Sequence, residues 1–206
     1  MSRQFVTGLV LAAGGSRRLG RPKQLLPYGD GTLLEHVLAV ARACEFDQRL
    51  CVLGGGGPDV RETVELGDFT VVLNERFGEG CSSSIAAALG SVDARADVLV
   101  LMLGDQPGVS AATVSALLAG RRGAPLAACG YANGRGHPLA FDRSVFGELT
   151  ALHGDKGVWK LLDRRAAEVV DVPVDGPIPL DVDTWEDYEA VLAQSEAGAG
   201  AAGRRP

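Results

Sequence analysis

Short apolar runs that each stop at a turn of small residues recur through the first half of the chain, with helix-spaced segments between them. This alternation leaves few folds open. Val6 to Leu11 stops at Ala-Ala-Gly-Gly-Ser, Arg49 to Leu53 at Gly54-Gly55-Gly56-Gly57-Pro58, Thr70 to Leu73 at Asn74, and Val98 to Leu103 at Gly104-Asp105-Gln106-Pro107. Leu33 to Ala43, Asp59 to Glu65, Ser82 to Leu89 and Ala111 to Leu118 carry helical spacing. Strands that are apolar throughout are buried on both faces, so the pattern predicts an α/β fold with a parallel sheet covered on both sides and right-handed crossovers. Ligands of such sheets sit at the carboxyl ends of the strands. The chemistry is therefore sought in the turns that follow them.

Beyond residue 124 the rhythm changes. Pro125 to Cys129 and Pro138 to Phe141 read as strands around a Gly-rich turn, Asp155 to Arg165 as a helix and Glu168 to Val172 as a further strand. Asp181 to Leu192 forms a polar end. The 206 residues fit one domain and show no internal repeat. Residues 1–193 are accordingly read as a single domain and 194–206, Ala/Gly-rich with a basic end, as a disordered tail. A net charge of −6 argues against a non-specific nucleic-acid binder. No apolar stretch reaches the roughly 18 residues a membrane span needs, and no signal segment opens the chain, so the cytoplasm is the expected location. The four cysteines, Cys44, Cys51, Cys81 and Cys129, form no CxxC pair and read as reduced and buried or incidental.

Glycine is in excess, 28 residues, or about twice average usage, which points to tight turns or a backbone that approaches a ligand closely. The densest signal is Leu11-Ala12-Ala13-Gly14-Gly15-Ser16-Arg17-Arg18-Leu19-Gly20-Arg21-Pro22-Lys23. Small residues let consecutive N–H groups converge on an anion, and four cations supply charge for phosphate oxygens. Arg21 and Pro22 stand where a P-loop needs Lys and Ser/Thr, and neither Gly14 nor Gly54 begins G-x-G-x-x-G.

Other clusters read two ways. The serines of Gly80-Cys81-Ser82-Ser83-Ser84 suit a base or phosphate, or a helix N-cap. Asp105 emerges after a strand, where a carboxylate suits Mg²⁺ or merely a turn. Alternation in Asp181-Val182-Asp183 points both carboxylates to one side, while Asp183 or Thr184 could equally cap the following helix. His137, between Gly136 and Pro138, is a turn residue or a substrate contact, and the three histidines show no ligand spacing.

The set Leu-Ala-Ala-Gly-x-Ser-x-Arg-Leu-Gly-x-x-Lys, Asn74 with Gly80-Cys81-Ser82-Ser83-Ser84, Leu103-Gly104-Asp105-Gln106-Pro107, Arg135-Gly136-His137-Pro138, Gly154-Asp155-x-Gly157 and Asp181-Val182-Asp183-Thr184 resembles the molybdenum cofactor cytidylyltransferase family, among nucleotidyltransferases similar to molybdopterin-guanine dinucleotide synthases. The resemblance spans residues 5–192. It implies a three-layer Rossmann-like nucleotidyltransferase fold with a mostly parallel central sheet, and transfer of CMP from CTP to the phosphate of molybdopterin cofactor with release of pyrophosphate. It further implies that Leu11, Ala12, Ala13, Gly14, Gly15 and Ser16 contact nucleotide, that Arg18 and Lys23 hold the triphosphate, and that Asn74, Gly80, Ser82 and Ser84 border base and ribose. Asp105 and Asp183 would coordinate Mg²⁺, with Arg18, Lys23 and Asp105 catalytic, and Gln106, His137 and Asp155 would face the acceptor, a phosphorylated pterin. A client molybdoenzyme would be the partner. Ala13, where guanylyltransferases commonly carry glycine, favours CTP over GTP, as does Arg135-Gly136-His137-Pro138. The rival readings are a guanylyltransferase, a transferase acting on another phosphorylated acceptor, and a non-catalytic nucleotide-binding module that delivers a cofactor.

Overall fold

A computed structural model describes residues 3–202 of the chain. In chain order the elements are β1 (Val6–Ala12), the short strands β2 (Pro27–Tyr28) and β3 (Gly31–Thr32), α1 (Leu33–Ala43), β4 (Gln48–Leu53), α2 (Gly57–Thr63), β5 (Thr70–Leu73), α3 (Cys81–Leu89), β6 (Val98–Leu103), α4 (Ala111–Gly120), β7 (Leu126–Tyr131), β8 (Gly134–Asp142), α5 (Phe146–Thr150), α6 (Gly157–Arg164), β9 (Val169–Pro173) and α7 (Trp185–Ala202). A seven-stranded sheet runs in the order β5-β4-β1-β6-β8-β7-β9. β8 is antiparallel to both its neighbours, β6 and β7, and the other pairings are parallel.

The all-apolar strands follow from burial on both faces. Along β1, Val10 joins one core with Leu34, Val37 and Leu38 of α1 and Val114 and Leu117 of α4. Leu9 and Leu11 point the other way, into a core with Ile85 of α3 and Val158, Leu161 and Leu162 of α6. The result is three layers, helix on sheet on helix. Thr32 opens α1 with a reciprocal cap, its Oγ1 accepting from the Glu35 N–H while the Glu35 carboxylate accepts from the Thr32 N–H, so the chain leaves β3 at a fixed angle.

A smaller apolar cluster decides where the polar segments go. Leu19, Leu26, Tyr28, Leu33, Val182 and Val191 pack together, bringing the basic turn after β1, the β2–β3 hairpin, the Asp181–Asp183 segment and α7 to one corner. Val182 is fully buried there.

Three sequence expectations are revised. The Gly134-Arg135-Gly136-His137 stretch, read as a turn, is the first half of β8 and pairs with β7 across a register shift at Ala128/Cys129. The two-residue strands of the hairpin were not foreseen. The helix of the polar end does not stop at residue 193: the Ala-rich stretch to Ala202 continues α7, alanine offsetting the helix cost of glycine, and the rest of the expected tail, 203–206, lies outside the described residues. Among the described residues no helix is long and apolar enough to cross a membrane.

Candidate active site

Adjacent parallel strands β1 and β6 end side by side, Leu11 opposite Leu103, and the turns leaving them form the floor of a cleft of about 630 Å³. Leu11, Ala12, Ala13, Gly14, Gly15, Lys23, Gly80, Ser84, Asp105, Gln106, His137, Asp155 and Asp183, from segments far apart in the chain, all line it. Ser16 and Arg18 line an adjoining cavity of about 350 Å³ that shares Lys23 and Asp183 with the cleft.

The turn after β1 is held by its own side chains. Ser16 adopts a positive φ of 48°, and its Oγ accepts from the Lys23 N–H at 2.9 Å. The buried Gln24 donates through Nε2 to the carbonyl of Ala12 at 2.6 Å and to that of Gly14 at 3.2 Å. One amide thus fixes two loop carbonyls. The tetraglycine turn after β4 packs against the same loop, since a Cβ on Gly54 would overlap the Ala13 carbonyl oxygen.

Charge is concentrated at the junction of the two cavities. The Lys23 ammonium, almost wholly buried, donates to Asp105 and, at 2.8 Å, to Asp183. Arg18 donates to the other oxygen of Asp183 at 2.7 Å. Burial alone would lower the Lys23 pKa, but the two carboxylates more than offset this and raise it. Asp183 loses hydration too, yet Lys23 and Arg18 hold its carboxyl below the ordinary range. Asp181 is pushed up to about 6 by desolvation and by the like charges of Asp105 and Asp183. The Val182 N–H donates to the Asp105 carbonyl at 3.1 Å, so the acidic segment runs beside the turn after β6. With Val182 in the core, alternation puts both flanking carboxylates on the cleft.

Capping falls to other residues. Asp187 accepts from the N–H groups of Thr184 and Asp183 while Thr184 Oγ1 accepts from the Asp187 N–H, a reciprocal cap at the start of α7. Asp183 keeps its carboxylate for the cleft. This donor set fits a divalent cation: two carboxylates already converge on one positive charge, and Mg²⁺ typically takes one or two carboxylates with phosphate and water completing its shell. Among the described residues no three acidic, His or Cys side chains are grouped as a metal-ligand set.

The opposite wall comes from α3, β8 and the loop before α6. Gly80, at φ 98°, leads into α3 with no side-chain cap of its own, and the Cys81 N–H donates instead to Asp155 Oδ1 at 3.1 Å. Ser82 Oγ donates to the Gly154 carbonyl at 2.6 Å, and Gly157 must lack a side chain because a Cβ would strike that hydroxyl. His137 lies edge-on to Trp159, ring centroids 5.4 Å apart. Burial lowers its pKa to about 4, so the imidazole is neutral. The Arg135 guanidinium is engaged by Asp171 at 2.5 and 2.8 Å. Burial, then the Asp155 and Asp105 carboxylates, raise the Cys81 thiol to about 11, which makes it a poor nucleophile.

Two expected site residues lie elsewhere. Asn74 is buried and donates to Ser83 Oγ at 2.8 Å and Ser84 Oγ at 2.9 Å, and Ser82 is spent on the loop before α6; neither lines the cleft. The serines sit inside the first turn of α3 rather than capping it. Gln24, Phe77, Trp159 and Ile178 line the cleft unforeseen. Gln24 directly follows Lys23, which was the available signal for it. Phe77 falls between Asn74 and Gly80, but no spacing rule singles it out, and Trp159 reads in sequence as one more apolar helix residue.

Comparison with known proteins places this geometry. Residues 8–169 match the model of the MobA-like NTP transferase domain. The chain is 31% identical over 198 residues to nicotine blue oxidoreductase of Paenarthrobacter nicotinovorans, covering 91% of this chain and 96% of that protein. The crystal structure of the Mycobacterium tuberculosis Rv0371c homologue from Mycobacterium sp. strain JC1 superposes with a TM-score of 0.89 at 56% identity, over 93% of this chain and 97% of that one. That of Rv0371c from M. tuberculosis H37Rv in complex with manganese superposes with a TM-score of 0.81 at 46% identity, over 92% and 99%.

Proposed function

We propose, from the premise that the chain belongs to the MobA-like NTP transferase family and is a nucleotidyltransferase, that it transfers CMP from CTP to the phosphate of molybdopterin cofactor and releases pyrophosphate. The observation that carries the reading is the convergence of Asp105 and Asp183 on the Lys23 ammonium beside the glycine loop at the ends of β1 and β6. Carboxylates alone would repel a triphosphate. Carboxylates that already hold a cation, next to Arg18 and a loop of small residues, suit a triphosphate that arrives with a metal ion. The choice of CTP rests on Ala13 and on the Arg135–Pro138 stretch. The acceptor rests on family resemblance.

In this reading the loop from Leu11 to Ser16 binds the nucleotide, and Gly80 and Ser84 border base and ribose. Asn74 and Ser82 shape that border from behind through their internal hydrogen bonds. Arg18 and Lys23 neutralise the triphosphate, and Gln106, His137 and Asp155 face the acceptor. Asp105 and Asp183 would hold Mg²⁺, which when bound supplies charge neutralisation at the phosphate oxygens; the manganese complex of the related mycobacterial protein is in keeping with a divalent ion.

An attacking phosphate and a triphosphate repel each other, so rate enhancement comes from positioning and neutralisation rather than from a protein nucleophile. A phosphate acceptor is ionised at neutral pH and needs no general base. His137, held neutral, shapes the acceptor wall without adding charge. The enzyme acts in the cytoplasm and passes its product to a client molybdoenzyme.

The test is pyrophosphate release with purified molybdenum cofactor and each of CTP, GTP, ATP and UTP in the presence of Mg²⁺. Release with CTP well above the others is expected. Preference for GTP would make the chain a guanylyltransferase, and nucleotide binding without release would make it a delivery module.

A further inference from the structure

The tetraglycine turn and the nucleotide loop share one neighbour, Phe77. A Cβ on Gly55 would come within 2.6 Å of the Phe77 ring at Cζ, and one on Gly15 within 3.4 Å of it at Cε2. A Cβ on Gly54 would lie 2.8 Å from Phe77 Cβ. Two stretches of backbone without side chains therefore close on one aromatic ring, and a side chain at Gly54 or Gly55 would displace it. Gly54 to Gly57, which turn formation alone does not account for, thereby acquire a specific task at their first two positions.

The ring so fixed is a wall. It borders the main cleft, the adjoining cavity that contains Arg17 and Arg18, and a further cavity of about 710 Å³ bounded by α2 and the end of β5. Among the described residues it is the one that this further cavity has in common with the other two. Phe77 is half-buried, so part of its surface remains available to a ligand.

We infer that Phe77 is a positioning and specificity-determining residue for the donor nucleotide, the surface against which the base packs, with Gly54 and Gly55 setting where that surface stands. The inference rests on the reading of the cleft as a nucleotide site. A flat apolar ring stacks on the π-face of any base. Because backbone rather than flexible side chains holds it, the ring also fixes the width of the space beside it, and a one-ring base and a two-ring base need different widths.

The experiment measures equilibrium binding of CTP, GTP, ATP and UTP, and kcat and KM by pyrophosphate release, for the wild type, Phe77→Ala, Phe77→Tyr, Gly55→Ala and the Phe77→Ala/Gly55→Ala double variant. Phe77→Ala should weaken binding of the preferred nucleotide roughly tenfold or more, narrow the preference among the four, and raise KM by a larger factor than it lowers kcat. Phe77→Tyr should restore binding. Gly55→Ala should reproduce the loss by pushing the ring aside, and should cost nothing further once the ring is gone. Should Phe77→Ala fail to fold, judged by its melting transition, Phe77→Leu is scored in its place.

A folded variant that keeps the wild-type affinity and preference overturns the inference. So does Gly55→Ala costing as much in the Phe77→Ala background as it does alone. A wild type that prefers GTP counts against the cytidylyl reading only, and Phe77 is then scored with GTP. A wild type that binds no nucleotide removes both.

Discussion

The Lys23 ammonium lies 2.8 Å from the Asp183 carboxylate and bonds Asp105 with the same nitrogen. A positive side chain is thus seated between the two carboxylates proposed for the metal. Removing it leaves like charges facing each other in a partly dehydrated site. Breaking a fully buried pair costs about 3–5 kcal/mol; the partial exposure of Asp183 brings the expectation for Lys23→Gln to about 2 kcal/mol. The metal-free variant should therefore melt below the wild type, and Mg²⁺ or Mn²⁺ should raise its melting temperature more than that of the wild type, because the competing cation is gone. Equal metal-induced shifts in the two proteins would show that Lys23 and the ion do not compete.

The glycines after β4 are unequal. A Cβ on Gly54 overlaps the Ala13 carbonyl, whereas one on Gly57 finds nothing closer than 3.8 Å. Gly54→Ala is expected to cost about 1–3 kcal/mol and to weaken nucleotide binding by shifting the loop. Gly57→Ala, at the start of α2, is expected to be neutral or slightly stabilising. Denaturant melts and nucleotide titrations of the two variants separate the positions.

His137 makes stability pH-dependent. Its pKa is about 4 in the fold against about 6.5 in the unfolded chain, so the unfolded state binds more protons between those values and stability rises with pH there. The contribution is fully present above pH ~6.5 and is lost as pH falls toward 4, up to ~3 kcal/mol. Asp181, held up at about 6, runs the opposite way over part of this window. The His137 share is therefore isolated by comparing wild type with His137→Gln in urea melts at pH 7.5 and 5. The wild type should lose more stability on acidification than the variant, and equal losses would mean that His137 is not buried neutral.

Much of this architecture was legible because burial writes itself into composition: β6, buried on both faces, and α1, buried on one, have the bounds that their apolar patterns predict, and so does β5, a half-exposed edge strand. The Asp181-Val182-Asp183 alternation was equally direct, and Thr184-x-x-Asp187 held the answer to which residue caps α7. The rest depends on contacts that no local pattern encodes. β8 takes in Gly134 to Gly136 because β7 supplies their partners, overriding the turn preference of the glycines. Asn74 and Ser82 look like ligand groups, yet each spends its hydrogen bonds on the protein. Gln24 matters through carbonyls 10 and 12 residues away, and Phe77 through glycines on two other segments.

The most direct test of the account is the Mg²⁺ dependence of pyrophosphate release from CTP, with molybdenum cofactor as acceptor, in wild type and Asp105→Asn. The substitution keeps the size of the side chain and removes one of the two carboxylates around Lys23. Turnover is predicted to fall by roughly a hundredfold or more, the scale of losing one electrostatic stabiliser of the transition state, while CTP affinity without metal stays within a few-fold of wild type. Equal Mg²⁺-dependent turnover by the two proteins would contradict the assignment of Asp105 and Asp183 as the seat of the metal-bound triphosphate.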